Sequence, residues 1–250
     1  MKIIIFGLGS IGQRWARIIK KYTAFELHAF RRRRLNETID QNLQTFTSIS
    51  PEISLGLTSY QDFKDIPSKF FDLAIIASPI SFHLDDIYLA RQLSIKRVLV
   101  EKPLYNPLIT PFPVKKREDI IESMNQGKFL LKIGYQFRFH PALDKIKIYL
   151  HQGILGELHF IKSEFAEWLP GMHPFEDYAR THMARKIEGG GPAICLSHDL
   201  DIMEHLFGEI KLVNFFSGKF NALRTDVNDF EQIDWKTFSK EGRPIFGTSY

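Results

Sequence analysis

The sequence predicts an α/β protein in two parts, a doubly wound parallel sheet followed by a smaller, shortened α+β unit with an open, mostly antiparallel sheet. Three observations predict it. Short apolar, β-branched runs recur through the first half, and each stops abruptly at glycine, proline or charged residues, as strands buried on both faces of a parallel sheet do. Apolar residues at helical spacing separate some of these runs. Beyond about Phe137 the pattern changes to longer alternating segments and a long polar loop, which sets the division at 1–137 and 138–250.

In order, Lys2 to Phe6 is the first strand, and it runs directly into Gly7-Leu8-Gly9-Ser10-Ile11-Gly12. Ile11, Trp15, Ile18 and Ile19 follow at the spacing of one apolar helix face, and Glu26 to Phe30 reads as a second strand. Asp72 to Ala77 and Arg97 to Val100 are further strands, stopping at Ser78-Pro79 and at Glu101-Lys102-Pro103. A helix is expected over Lys115 to Gly127, behind a loop marked by Pro107, Pro111 and Pro113, and Leu130 to Gly134 ends the sheet. In the second part, Pro141 opens a helix with Leu143, Ile146 and Leu150 on one side, and Leu158 to Trp168 reads as a strand. Leu169 to Gly191 is too long for a simple connector and is expected to carry function. Leu196, Leu200, Met203 and Phe207 mark the next helix, Lys211 to Asn221 a second strand, and the rest a polar, weakly periodic tail.

Composition narrows the function. With 44% hydrophobic and 25% charged residues the chain is an ordinary globular one, and no apolar run approaches the length of a membrane span. The net charge of +4, from 33 basic and 29 acidic residues, equals the four consecutive arginines Arg31, Arg32, Arg33 and Arg34. The remainder is neutral, so a general nucleic-acid-binding surface is not expected, whereas one compact cationic spot suits a small phosphorylated ligand. The lone Cys195 cannot form an internal disulfide, which points to a reducing compartment. Ile3 to Phe6 is too short for the apolar core of a secretion signal, so the expectation is a cytoplasmic protein without membrane attachment.

In an open parallel sheet the carboxyl ends of the strands face the ligand crevice, so Gly7, Arg31, Ser78 and Glu101 are expected to border one cleft. The glycines divide the work: Gly7 allows the tight turn, Gly9 lets backbone approach a pyrophosphate, and Gly12 lets helix pack on strand. The helix start at Ser10 and Ile11 offers N–H groups to the anion. Sites that prefer NAD carry an acidic residue about 20 residues further on; Arg31 and Arg32 stand there instead, and guanidinium groups grip a 2'-phosphate. NADP(H) is therefore the expected cofactor, ahead of NAD(H).

Gly7 to Gly12, Ser78-Pro79 with His83, Glu101-Lys102-Pro103, Arg138-Phe139-His140-Pro141, and Gly189-Gly190-Gly191 followed by His198-Asp199-Leu200-Asp201 stand in the order and spacing of one family. Over residues 1 to about 225 the chain resembles the glucose-fructose oxidoreductase and inositol dehydrogenase family, Gfo/Idh/MocA. The stretch from Leu169 to Lys186 further resembles a branch associated with surface-polysaccharide or nonulosonic-sugar biosynthesis. The resemblance implies a Rossmann dinucleotide-binding domain and hydride transfer between a nicotinamide cofactor and a sugar or sugar-nucleotide carbon. It implies Lys102 and His198 as catalytic residues, and Ser78, Pro79, His83, Glu101 and Lys102 beside the cofactor. Around the substrate it places Tyr135, Arg138, His173, Asp177, Tyr178, Arg185 and His198, and it requires no metal. Read as isolated residues, Arg185 could instead pair with Glu188, and Glu101 could be a simple loop anchor.

Two departures stand out. Many relatives carry an acidic residue three or four positions before the histidine; here those positions are Cys195 and Ile194, leaving Asp199 or Asp177 as substitutes. Relatives also continue well past Tyr250, so the second sheet is expected to be short, with its open edges covered in a homodimer or higher homo-oligomer. The rival reading is a dinucleotide-binding sensor or partner subunit that has lost its chemistry.

Overall fold

The computed structural model describes residues 1–32, 38–39, 45–46, 49–105, 114–172, 177–239 and 242–250. Arg33, Arg34, the prolines at 107, 111 and 113, and His173 lie outside the described residues. The chain divides into two compact units, Met1–Gly134 and Tyr135–Tyr250, so Tyr135 to Phe137 fall in the second unit.

The first unit opens with β1 (Lys2–Phe6), α1 (Ser10–Tyr22), β2 (Glu26–Phe30), the two-residue strands β3 (Thr38–Ile39) and β4 (Thr45–Phe46), α2 (Pro51–Leu55) and β5 (Thr58–Tyr60). It continues with β6 (Leu73–Ile76), α3 (His83–Gln92), β7 (Arg97–Val100), α4 (Val114–Asn125) and β8 (Leu130–Ile133). Six of the strands form one sheet in the order β5-β2-β1-β6-β7-β8, parallel throughout. β1 lies inside it, and its side chains alternate between two cores. Ile4 and Phe6 pack with Ile76, Leu84, Ile87 and Val100 on one face, while Ile3 and Ile5 pack with Ala16, Ile19 and Leu55 on the other. Covering both faces explains why these strands read as unbroken apolar runs.

The apolar face expected for α1 is displaced. Ile11 and Ile18 are 41% and 40% exposed, whereas Gly12, Gln13, Ala16 and Ile19 are buried. Small residues at 12 and 16 let the helix lie close on the sheet: a Cβ on Gly12 would stand 2.0 Å from the Gly7 carbonyl oxygen. Gln13 is buried because both ends of its amide are used, Nε2 donating to the Leu8 carbonyl at 3.1 Å and Oε1 accepting from the Ile39 N–H at 2.7 Å.

The second unit contains α5 (Pro141–His151), β9 (Phe160–Ser163), α6 (Leu169–Met172), α7 (Pro192–Phe207), β10 (Lys211–Gly218), β11 (Phe230–Phe238) and β12 (Pro244–Ser249). Its sheet runs β10-β11-β12-β9, antiparallel except for the parallel β12 and β9 pair. The tail read as weakly periodic thus holds two strands, and the strand expected over Leu158 to Trp168 is confined to four residues. Trp235 is fully buried, donating from Nε1 to Ser249 Oγ at 3.0 Å, and its ring lies over Gly247, where a Cβ would be 2.3 Å away. The opposite face stays open: Phe160, Phe216, Phe238 and Phe246 share it by register and are exposed. Among the described residues no helix is long and apolar enough to cross a membrane.

Candidate cofactor and active site

The crevice of the first unit is built from strand ends. β1 stops at Gly7, whose φ of +89° suits glycine, and a Cβ there would meet the Ser78 backbone at 2.7 Å. Gly7 N–H donates to the Phe30 carbonyl at 2.9 Å, tying the turn to the end of β2. Gly9 caps α1 with φ −76°, and a Cβ on it would meet nothing within 4 Å. Two glycines are therefore demanded by protein packing, while the third faces open space beside the N–H groups of Ser10 and Ile11 at the helix start. That is the arrangement a pyrophosphate requires, and a nicotinamide dinucleotide fits these residues.

At the end of β2 the two arginines differ. Arg31 is 4% exposed and pairs with Glu52, which also accepts from Ser59 Oγ at 2.9 Å. Burial pushes the Glu52 carboxyl up, but its backbone bond and those from Arg31 and Ser59 outweigh it and hold the group below its usual range. Arg31 was expected to touch the cofactor; the structure spends it on this internal ion pair. Arg32 is the exposed guanidinium here, bound through both terminal nitrogens to Asp86, with Nη1 to Oδ2 at 3.0 Å. Asp86 is fully buried and also accepts from Ser78 Oγ at 2.6 Å. Burial raises its pKa, and Arg32 and Ser78 oppose that shift.

β6 and β7 end at Ser78-Pro79 and Glu101-Lys102-Pro103, the Lys102–Pro103 peptide being cis. Pro79 is exposed, and Glu101 and Lys102 are half-buried. His83 was expected beside the cofactor, but it is 2% exposed and holds these two ends from behind, Nε2 lying 2.9 Å from the Ser78 carbonyl and Nδ1 3.0 Å from that of Pro103. Burial pushes the ring below the usual histidine range against the pull of those carbonyls. Glu101 Oε1 accepts from Trp15 Nε1 at 2.8 Å, anchoring the strand end to α1.

In the second unit His198 lies on α7 with two aromatic rings edge-on, Phe137 at 4.7 Å and Tyr135 at 5.9 Å between centroids. Burial raises the Tyr135 pKa. Several residues expected at the substrate are engaged with the protein. Arg138 forks onto Asp201 through Nε at 3.0 and 2.9 Å and Nη2 at 2.6 Å, and that carboxylate raises its pKa. Arg185 pairs with Glu188 at 2.6 Å. Asp177 accepts from Arg224 Nη2 at 3.1 Å, and Tyr178 Oη accepts from the Arg224 N–H at 3.2 Å, which lowers the phenol's pKa. Asp199 accepts from Ser163 Oγ at 2.7 Å.

The side chains at 194 and 195 lie outside the described set. Further along α7, Asp201 is held by Arg138 and His205 Nε2 lies 2.6 Å from Lys147 Nζ. Among the described residues no group of three or more His, Cys, Asp or Glu could hold an ion. Sequence reasoning missed Gln13, Trp15, Asp86, Phe137 and Arg224. Asp86 alone left a trace, one helical turn after His83 in an otherwise apolar face.

Parallel strands, the glycine turn and the helix start together define a Rossmann-type dinucleotide-binding unit. Residues 1–120 match the model of the Gfo/Idh/MocA oxidoreductase family, NAD-binding Rossmann fold. An uncharacterized oxidoreductase of Synechocystis sp. is 33% identical over 136 residues, 53% of this chain and 33% of that protein. The NADP-dependent D-xylose 1-dehydrogenase of Haloarcula marismortui is 26% identical over 123 residues, 49% of this chain and 32% of that one. The chain thus spans about a third of the length of these two relatives. A dehydrogenase of Chromobacterium violaceum, WlbA, solved with NADH and UDP-GlcNAcA, shares the fold over 100% of this chain and 66% of its own, with a TM-score of 0.71 and 15% identity.

Proposed function

We propose that the protein is an NAD(P)-dependent oxidoreductase acting on the CH–OH group, or its keto form, of a sugar or sugar nucleotide. One observation carries the reading: Gly9 alone of the three motif glycines opens onto free space at the start of α1, in a segment that matches the model of an NAD-binding family. The relatives' sugar substrates support the substrate class. NADPH is the preferred cofactor in this reading, on the strength of Arg32, the exposed guanidinium at the end of β2.

Held at Gly7, Gly9 and the start of α1, a nicotinamide dinucleotide would supply or accept the hydride. Lys102, set at a strand end by Pro103 and His83, orients the substrate hydroxyl and stabilises negative charge on its oxygen. His198, its ring bracketed by Phe137 and Tyr135, takes the hydroxyl proton on oxidation and returns it on reduction. Tyr135, His173, Asp177 and Tyr178 supply donors and acceptors of the kind a hydroxyl-rich ligand needs. We further propose a cytoplasmic homodimer or higher homo-oligomer, in which the exposed phenylalanines of the second sheet are covered.

Reduced-cofactor absorbance, followed across a panel of sugars and sugar nucleotides, tests the reading. Turnover by the full chain, abolished in Lys102→Ala with cofactor binding retained, is expected. Cofactor binding without turnover on any compound would favour the sensor reading, and unchanged turnover in Lys102→Ala would remove that residue from catalysis.

A further inference from the structure

We propose that Asp86 is the positioning residue for cofactor selectivity, holding the Arg32 guanidinium in one fixed plane at the end of β2. The inference rests on the reading that this strand end receives the adenosine part of a nicotinamide dinucleotide.

The arrangement is unusually well built for an exposed arginine. Both terminal nitrogens of Arg32 meet the two oxygens of Asp86. The guanidinium carbon stands 4.6 Å from the Phe82 ring centroid and 5.2 Å from that of Phe30, so aromatic groups restrict it as well. Asp86 has no exposed surface, and Ser78 Oγ fixes its Oδ2 at 2.6 Å. A long, rotamer-rich side chain is thereby held in one orientation before any ligand arrives, which removes an ordering cost that binding would otherwise bear.

A guanidinium has five N–H donors in a planar fork. The Asp86 contact uses one on each terminal nitrogen, which leaves Nε–H and a second N–H on each terminal nitrogen in the same plane. These remaining donors match the geometry of a phosphate monoester. The carboxylate also subtracts charge: Arg32 with Asp86, and Arg31 with Glu52, are each neutral as pairs when ionised. Among the described residues at this end, selectivity for a 2'-phosphate therefore depends on the fixed direction of N–H donors rather than on excess positive charge. Asp86 acts through Arg32 and through Ser78, and does not itself touch the cofactor.

Geometry and charge predict opposite outcomes. If Asp86 positions Arg32, Asp86→Asn weakens NADPH binding at least tenfold and leaves NADH binding within about twofold. If Asp86 merely neutralises Arg32, the same substitution tightens NADPH binding. Equilibrium titrations of the full chain with NADPH and NADH at fixed moderate salt, with circular dichroism and a thermal melt as the check on folding, separate the two. Arg32→Lys provides the second test, because the exposed position tolerates it, the charge is kept and the planar fork is lost. An at least tenfold loss of NADPH affinity in Arg32→Lys supports the proposal, and retained preference overturns it. NADPH preference in the wild type, unchanged or increased in Asp86→Asn, overturns the role of Asp86 and leaves the cofactor reading standing. A wild-type protein that binds NADH more tightly overturns the NADPH preference and this inference together.

Discussion

Gly9→Ala separates folding from function more cleanly than any other single change. The residue has φ −76° and ψ −163°, a backbone conformation that alanine adopts, and an added Cβ meets no protein atom within 4 Å. The fold has no reason to object, and the reduced freedom of the unfolded chain favours the variant by about 0.4–1 kcal/mol. The methyl group nevertheless enters the space beside the first N–H groups of α1, which is the proposed pyrophosphate site. A hydrogen bond between a backbone N–H and a charged oxygen contributes about 1.5–3 kcal/mol. Losing one weakens cofactor binding by roughly 10- to 150-fold at 1.4 kcal/mol per tenfold. The assay is a thermal melt without ligand paired with a fluorescence titration of NADPH and NADH. A melt at or slightly above that of the wild type, with binding weakened by that factor, is expected. Unchanged affinity for both cofactors would refute the assignment of this open space to the pyrophosphate.

Other substitutions test the supporting structure. Gly12→Ala places a Cβ 2.0 Å from the Gly7 carbonyl oxygen and destabilises the first unit by about 1–3 kcal/mol, read as a lower denaturant midpoint. His83→Leu removes the one N–H that the neutral ring donates to either the Ser78 or the Pro103 carbonyl, at a cost of about 2 kcal/mol. Faster hydrogen exchange in 78–82 and 101–105, with a lower kcat, accompanies it; unchanged exchange there would contradict the clamp. Glu52→Gln strips the charge that faces buried Arg31 and costs about 2 kcal/mol at neutral pH. Because Glu52 has a depressed pKa in the folded state, its contribution is fully present above the ordinary value of 4.5 and is lost as pH falls through the folded value. The gap between wild type and variant, measured by denaturant unfolding, therefore closes toward acid and does not widen.

What the sequence made legible follows from burial. Lys2 to Phe6 and Arg97 to Val100 were readable to the residue because strands covered on both faces leave no polar position to confuse the pattern. α1 was misread because its inward face relies on Gly12, Ala16 and a doubly bonded Gln13, which no hydrophobicity pattern marks, while Ile11 and Ile18 point outward. β11 escaped notice for a related reason. One face of Phe230 to Phe238 is open and carries Gln232, Asp234 and Lys236, so the segment reads as polar until Trp235 is seen buried over Gly247. The glycine turn was legible because its spacing falls between an apolar strand run and a helix-spaced segment. The arginines were legible as a cationic spot but not as individuals, since Glu52 and Asp86, distant in sequence, decide which is buried and which is presented. Arg138 and Arg185 teach the same lesson, for their carboxylate partners reach them through the fold.

We propose that the first unit binds a nicotinamide dinucleotide at its glycine turn and prefers the form with a 2'-phosphate. Equilibrium titration of the full chain with NADPH and NADH in parallel, at fixed salt, tests it most directly. Saturable binding of both with NADPH the tighter is the predicted result. Tighter NADH would contradict the role given to Arg32, and saturable binding of neither would contradict the site itself.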